Sequence, residues 1–250
     1  MASAENKEET ETSISKHPVI IFNVTGFGKF GGVEDNPTSH LMTNLPKIIE
    51  VDVKKETFPK NVTMESYSVL HVSGENSLKK LVDIRTKSAE TIKSNTKNEK
   101  EDKQEKEIIK VYLHFGVGNR HYIKIEGIGY NCANFRIPDE LGWEPKDQPI
   151  VSSNGDTKHE NHCRLPVDIL TKRMSQKGYK VESSVDPGRY VCNWIYYNSL
   201  ELCKNNNNEY ALFVHVPPFE DINEETQTKF ARDLILEIYD ILANPKKSIK

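Results

Sequence analysis

The sequence predicts an α/β domain with a largely parallel sheet covered by helices on both faces, and three observations carry that prediction. Short β-branched apolar runs recur along the chain. Segments with helical apolar spacing separate them. The runs PVIIFNVT (18–25) and IIKVYLHFG (108–116) are apolar at successive positions, as strands are when both faces are buried. The 250 residues are 36% hydrophobic and 28% charged, and the polar excess is concentrated in particular stretches. Residues 18–243 therefore read as one domain with a sizeable core, flanked by a disordered polar tail at 1–17 and a short tail at 244–250.

PVIIFNVT forms a buried strand that ends at Gly26. A helix starts near Pro37, with Asn36 as its N-cap. VTMESYSVLHV (62–72) alternates like a half-buried strand, and Leu78, Leu81, Val82 and Arg85 then follow helical spacing. Residues 86–107 carry six Lys and six acidic residues. They read as a charged, low-complexity insertion, either a solvated helix extension or a surface loop. IIKVYLHFG is a buried strand, and YIKIEGIGYN (122–131) alternates again. SSNGDTKHENHCR reads as a loop, and Pro166 opens a helix through PVDILTKRM. DPGRYVCNWIYYNSL (186–200) breaks at Pro187-Gly188 and becomes helical, with Asp186 as its expected cap. Asn205 to Asn208 read as a surface loop. YALFVHVP (210–217) is a strand that stops at Pro217-Pro218, and residues 223–243 form an amphipathic helix capped by Asn223.

Several function classes are excluded. No run approaches the roughly 20 apolar residues of a membrane span. The acidic N-terminus has no apolar secretory core and does not resemble a presequence. A net charge of −3, with no basic stripe, gives no footprint for nucleic acid. The four cysteines, Cys132, Cys163, Cys192 and Cys203, form no C-x-x-C pair, so reduced thiols and a cytoplasmic location are expected. His159, His162 and Cys163 resemble half of a zinc site, but no second ligand pair lies at suitable spacing, and no metal is expected.

Three residues have the types and positions that nucleophilic catalysis needs. Cys192 falls in the first turns of its helix, where the partial positive charge favours a thiolate, the form that attacks carbonyl carbon. A buried structural cysteine is the alternative. His215 is the polar residue of an apolar strand and lies near its carboxyl end, where sites form in α/β sheets. A satisfied core histidine is the alternative. Glu126 interrupts the strand YIKIEGIGYN, and a carboxylate buried there needs a partner such as an imidazole. It could instead lie on the polar face of the strand. Together the three make a nucleophile, a base and an orienting group. The turn TGFGKFGG (25–32) contains G-x-G-x-x-G at Gly26, Gly28 and Gly31, which also suggests a dinucleotide site. The helix delayed to about Pro37 argues against that reading, because a pyrophosphate needs a helix N-terminus at the glycines. Phe27 and Phe30 in the same turn suit the walls of a pocket for a flat apolar group.

Four blocks, VTGFGKFGGVEDNPTS, HFGVGNRHYIKIEGIGYN with NFRIPDELGW, GRYVCNWIYYNSL and ALFVHVPP, resemble those of the pyroglutamyl-peptidase I family of cysteine exopeptidases. The order Glu, Cys, His agrees, and the likeness spans about residues 18–243. The resemblance implies a three-layer α/β/α domain around a twisted mixed sheet, no cofactor, and peptide substrates that begin with pyroglutamate. It implies that Cys192 is the nucleophile, His215 the general base and acid, and Glu126 the third member. It also implies that Phe27, Phe30 and Tyr190 line the substrate pocket, with Asn36 and Arg136 as polar groups near it. Lys29 and Ser39 depart from the family pattern, which usually has Pro and Trp there, and Gly127 stands where bacterial members have a basic residue. Two alternatives follow: a protein of this fold that binds pyroglutamyl peptides without useful turnover, and a dinucleotide-binding oxidoreductase. Thermal stabilisation without product would mark the first, and tight nicotinamide-dinucleotide binding the second.

Overall fold

The structure is a computed structural model that describes residues 17–98, 107–118 and 120–245. The elements run Val19–Phe27 (β1), Pro37–Lys54 (α1), Val62–Leu70 (β2), Gly74–Asn98 (α2), Ile108–Val117 (β3), Ile123–Glu126 (β4) and Ile128–Tyr130 (β5). Then follow Glu160–His162 (β6), Val167–Gln176 (α3), Val181–Ser184 (β7), Val191–Cys203 (α4), Glu209–Val216 (β8) and Glu224–Ala243 (α5). Six strands form one sheet in the order β2-β1-β3-β8-β4-β7, in which β4 and β8 run antiparallel and every other neighbouring pair is parallel. This is the mixed, mostly parallel α/β sheet that the sequence predicts.

Each face of the sheet has its own core. On one, Leu41 and Leu45 of α1, Leu170 and Met174 of α3, and Phe230 and Leu234 of α5 bury against Val24, Leu113 and Val214. On the other, Leu81 and Ile84 of α2 and Val191, Ile195 and Tyr196 of α4 bury against Phe27, Tyr112 and Phe213. Strands covered on both faces must be apolar at successive positions, which is why β1, β3 and β8 read as near-continuous apolar runs. Among the described residues no helix is long and apolar enough to cross a membrane.

Strand register decides which residues share a face. Thr25 pairs with His114, His114 with Phe213, and Phe213 with Glu126. Gly116 pairs with His215, two residues further along both strands. Side chains alternate along a strand, so these residues form two adjacent rows on the face that α4 covers. The first row is buried and, apart from Phe213, polar. His114 bonds Thr25 Oγ1 through Nδ1 at 2.8 Å and Ser199 Oγ on α4 through Nε2 at 2.9 Å. Burial, reinforced by the charge of Arg85, pushes His114 down to about 3, so its ring is neutral.

Several local expectations are corrected. YIKIEGIGYN is two strands rather than one. After Glu126 the chain leaves the main sheet at Gly127, and β5 pairs with β6 in a separate two-stranded ribbon. The segment read as a loop around His159 thus contains a strand. The short edge strand β7, polar at three of its four positions, carries no apolar run to reveal it. Pro166 stands at the N-cap of α3 rather than inside its first turn. Residues 86–98 continue α2, whereas 99–106 and the tail at 1–16 lie outside the described residues.

Candidate active site

Helix α4 starts at Val191 with Tyr190 at its N-cap, so Cys192 is the second residue of the first turn. The N–H groups there have no acceptor one turn back, and the helix end carries partial positive charge. Asp186, the expected cap, stands outside the helix. It accepts from Gly188 N at 3.1 Å and from Arg189 at 2.7 Å, shaping the turn that delivers the chain to α4. Gly188 takes φ +76° there, a left-handed conformation that suits glycine. Asn193, fully buried, fixes the start of the helix. Its Oδ1 accepts from Tyr130 N at 2.9 Å, and its Nδ2 donates to Tyr130 O at 2.8 Å and Cys132 O at 2.9 Å.

His215 and Glu126 come from adjacent strands. Glu126 pairs with Phe213, two residues before His215, so the two polar side chains are diagonal neighbours on the face under α4. His215 Nδ1 lies 2.8 Å from Glu126 Oε1, and the carboxylate has 0% exposure. Glu126 Oε2 has no hydrogen-bond partner among the described residues, so the imidazole is the side-chain partner of this buried group. Burial alone would pull His215 down. Hydrogen bonds with Cys192 and Glu126, and the charges of both, outweigh it and raise the ring to about 9. The three residues named from the sequence therefore meet at the C-terminal ends of β4 and β8 and the N-terminus of α4.

Two glycines make room for this contact. A Cβ on Gly116 would sit 3.0 Å from Cys192 Sγ and 2.8 Å from Phe213 Cζ, and one on Gly118 would sit 2.7 Å from His215 Cβ. Sequence reasoning passed over both, together with Asn193. The signal for Asn193 was its place beside Cys192 in a helix, and register alone identifies the glycines.

A narrow cleft opens beside the sulfur, lined by Phe27, Phe30, Asn36, Val72, Val117, Tyr190, Val191 and Cys192. Four residues expected at a pocket are thus in its lining. Asn36 caps α1 by accepting from Thr38 N at 3.0 Å, and its Nδ2 donates to Gly28 O at 2.8 Å, which ties the aromatic turn to the helix. Tyr190 donates its hydroxyl to Pro138 O at 3.2 Å and meets the Phe135 ring at 4.8 Å. Burial pushes the Tyr190 phenol up to about 12. Arg136 is exposed on the loop beyond Phe135 and is not part of the lining.

The departures from the family pattern find ordinary places. Lys29 is exposed with Glu34 at 3.5 Å. Ser39 Oγ donates to Asn36 O at 2.8 Å within the cap of α1. At Gly127 a Cβ would meet only Ser184 O, at 3.5 Å. The glycine pattern at 26–31 also has a local cause, because a Cβ on Gly26 would lie 2.2 Å from Thr38 O. The glycine lets α1 press on the end of β1, and no helix begins at the turn itself. His159 bonds Tyr197 Oη at 2.8 Å, His162 faces Glu160 at 3.3 Å, and Cys163 donates to Ala211 O at 3.3 Å, so each is engaged separately.

The chain is similar in sequence and fold to known proteins. A family model described as pyroglutamyl peptidase matches residues 79–237. Pyrrolidone-carboxylate peptidase 2 of Caldanaerobacter subterraneus subsp. tengcongensis is 25% identical over 232 residues, covering 91% of this chain and 97% of that protein. The pyrrolidone-carboxylate peptidase of Yersinia pestis is 36% identical over 101 residues, 40% of this chain and 46% of that protein. Among solved structures, pyrrolidone carboxyl peptidase from Thermus thermophilus superposes with a TM-score of 0.65 at 25% identity, covering 87% of this chain and 98% of that one. The enzyme from Thermococcus litoralis gives 0.67 at 24% identity, over 89% and 94%, and shows the same fold.

Proposed function

The chain belongs to the pyroglutamyl peptidase family, and we propose that it removes pyroglutamate from peptide N-termini with Cys192 as nucleophile, His215 as acid and base, and Glu126 as the group that orients and charges the imidazole. The observation that carries this reading is the 2.8 Å bond between His215 and the buried Glu126, on a ring whose protonated form Cys192 also favours. With His215 raised to about 9, the ring holds a proton at neutral pH and serves as counterion to a thiolate.

The thiolate attacks the pyroglutamyl carbonyl carbon and forms a C–S bond. Backbone N–H groups in the first turn of α4 stabilise the oxyanion that results. The imidazolium gives its proton to the departing amide nitrogen, the C–N bond breaks, and the shortened peptide leaves. Neutral His215 then takes a proton from water as the oxygen attacks the thioester. The C–S bond breaks, pyroglutamate departs, and the thiolate and imidazolium are restored.

The cleft supports the same substrate. Pyroglutamate is a flat, neutral lactam without an N-terminal ammonium, so its recognition needs apolar walls and a few hydrogen bonds. Phe27, Phe30 and Tyr190 supply walls, and Asn36 holds the turn that carries the first two. A site that pairs with the ring carbonyl rejects proline, in principle by about 10⁴-fold, because its own polar groups would be left unpaired.

The test is hydrolysis of a pyroglutamyl fluorogenic amide under reducing conditions, with a prolyl amide and Cys192→Ala alongside. The expected result is turnover of the pyroglutamyl amide alone and loss of at least about 10³-fold in Cys192→Ala. No turnover by the wild type, or an active Cys192→Ala, overturns the reading.

A further inference from the structure

We propose that Tyr196 is a positioning residue for the reaction: its hydroxyl fastens the backbone at Glu126 to the helix that carries Cys192, and its ring supports His215 through Phe213. The inference rests on the catalytic reading above. Tyr196 follows Cys192 by four residues on α4, so both lie on the helix face turned toward the sheet. It is completely buried, and its hydroxyl donates to Glu126 O at 2.6 Å. Its ring centroid lies 5.7 Å from that of Phe213, which lies 4.8 Å from that of His215. The same Phe213 ring, with Cys192 Sγ, closes over Gly116. One side chain thus links the helix of the nucleophile to the backbone of the carboxylate and to the wall behind the imidazole.

The tie matters because β4 ends at Glu126 and the chain then leaves the main sheet. Glu126 is the last residue paired on both sides, and past it the Gly127 N bond to Ser184 O at 2.7 Å continues the pairing on one side, so the hydroxyl adds a tie from α4 where the strand leaves the sheet. The titratable groups facing it are Glu126 from β4 and Cys163 from the segment after β6. Burial pushes the Cys163 thiol up to about 11 and the Tyr196 phenol well above its usual value, so both stay protonated over the working range.

Tyr196→Phe keeps the buried ring and deletes the bond. The expected result is a loss in kcat of about three- to tenfold, the effect of one buried hydrogen bond. KM should stay unchanged, because Tyr196 lines no part of the cleft. The alkaline limb of the pH profile should move to lower pH as Glu126 supports His215 less well. Tyr197→Phe is the matched control. It removes a hydroxyl from the same helix, but one bonded to Asn154 and His159, and should lower the melting temperature without moving that limb. If Tyr196→Phe folds poorly, 3-fluorotyrosine at position 196 keeps the shape, strengthens the donor and should move the limb upward. With wild-type turnover intact and Cys192→Ala inactive, a limb that stays put in both Tyr196 variants overturns this inference alone. Turnover by Cys192→Ala overturns the catalytic reading beneath it.

Discussion

His215 and His114 lie on neighbouring strands and face the same helix, yet burial has opposite outcomes for them. His215 has a buried carboxylate and a sulfur as partners and is raised to about 9. His114 has two hydroxyls and is pushed down to about 3. A raised folded value stabilises the protein fully below the unfolded value of about 6.5, and that contribution is lost as pH rises through about 9. A lowered value works in the other direction: His114 contributes fully above about 6.5 and progressively loses that contribution as pH falls toward 3. Melting temperatures across pH should therefore fall on both sides of neutrality. Glu126→Gln should flatten the alkaline side and His114→Gln the acid side; an unchanged profile in either variant contradicts the assignment. In sequence the two histidines look alike, each a polar residue in an apolar strand. Nearness to the strand end set His215 apart as a candidate, whereas nothing local revealed the hydroxyl partners of His114, which come from β1 and α4. At the cleft, Phe30 is a half-buried wall, and Phe30→Ala should raise KM roughly tenfold through lost apolar contact while kcat changes little.

Helix α1 and the turn before it form the element that shapes the cleft. Asn36 caps the helix and holds Gly28, and the missing Cβ of Gly26 lets the first turn touch the strand. Asn36→Ala should cost about 1 kcal/mol as a lost cap and should also raise KM, because the aromatic turn loses its tether. Gly26→Ala should cost about 1–3 kcal/mol by overpacking, measured by denaturant unfolding. The cap was legible from Asn-Pro after a glycine-rich stretch, and so was the start of α5 at Asn223, whose side chain accepts from Thr226 N. The split of β4 from β5 was not. Alternation continues across Gly127, and the exit from the sheet depends on bonds to Ser184 and Cys163, both distant in sequence. The cap of α4 was misplaced for a related reason. Asp186 has the right chemistry for a cap, but it satisfies the turn at Gly188 instead.

Across the whole molecule, parallel register and crossover helices bring residues far apart in the chain to one rim. The ends of β4 and β8 hold the carboxylate and the imidazole, α4 delivers the sulfur above them, and β1 with α1 builds the cleft. Sequence alone predicted the α/β layering, because strands buried on both faces and amphipathic helices leave plain patterns. It also marked the residues with reactive groups. It did not show the supporting residues, since Gly116, Gly118, Asn193 and Tyr196 matter only through partners that register supplies. The central claim is that one sulfur of four does the chemistry, and labelling tests it directly. The wild-type enzyme is treated with limiting iodoacetamide, with and without a pyroglutamyl ligand, while residual activity is followed and labelled peptides are mapped. The account predicts that label accumulates on Cys192 in proportion to lost activity and that the ligand protects it. Inactivation that tracks label on Cys132, Cys163 or Cys203, or full activity with Cys192 alkylated, would contradict it.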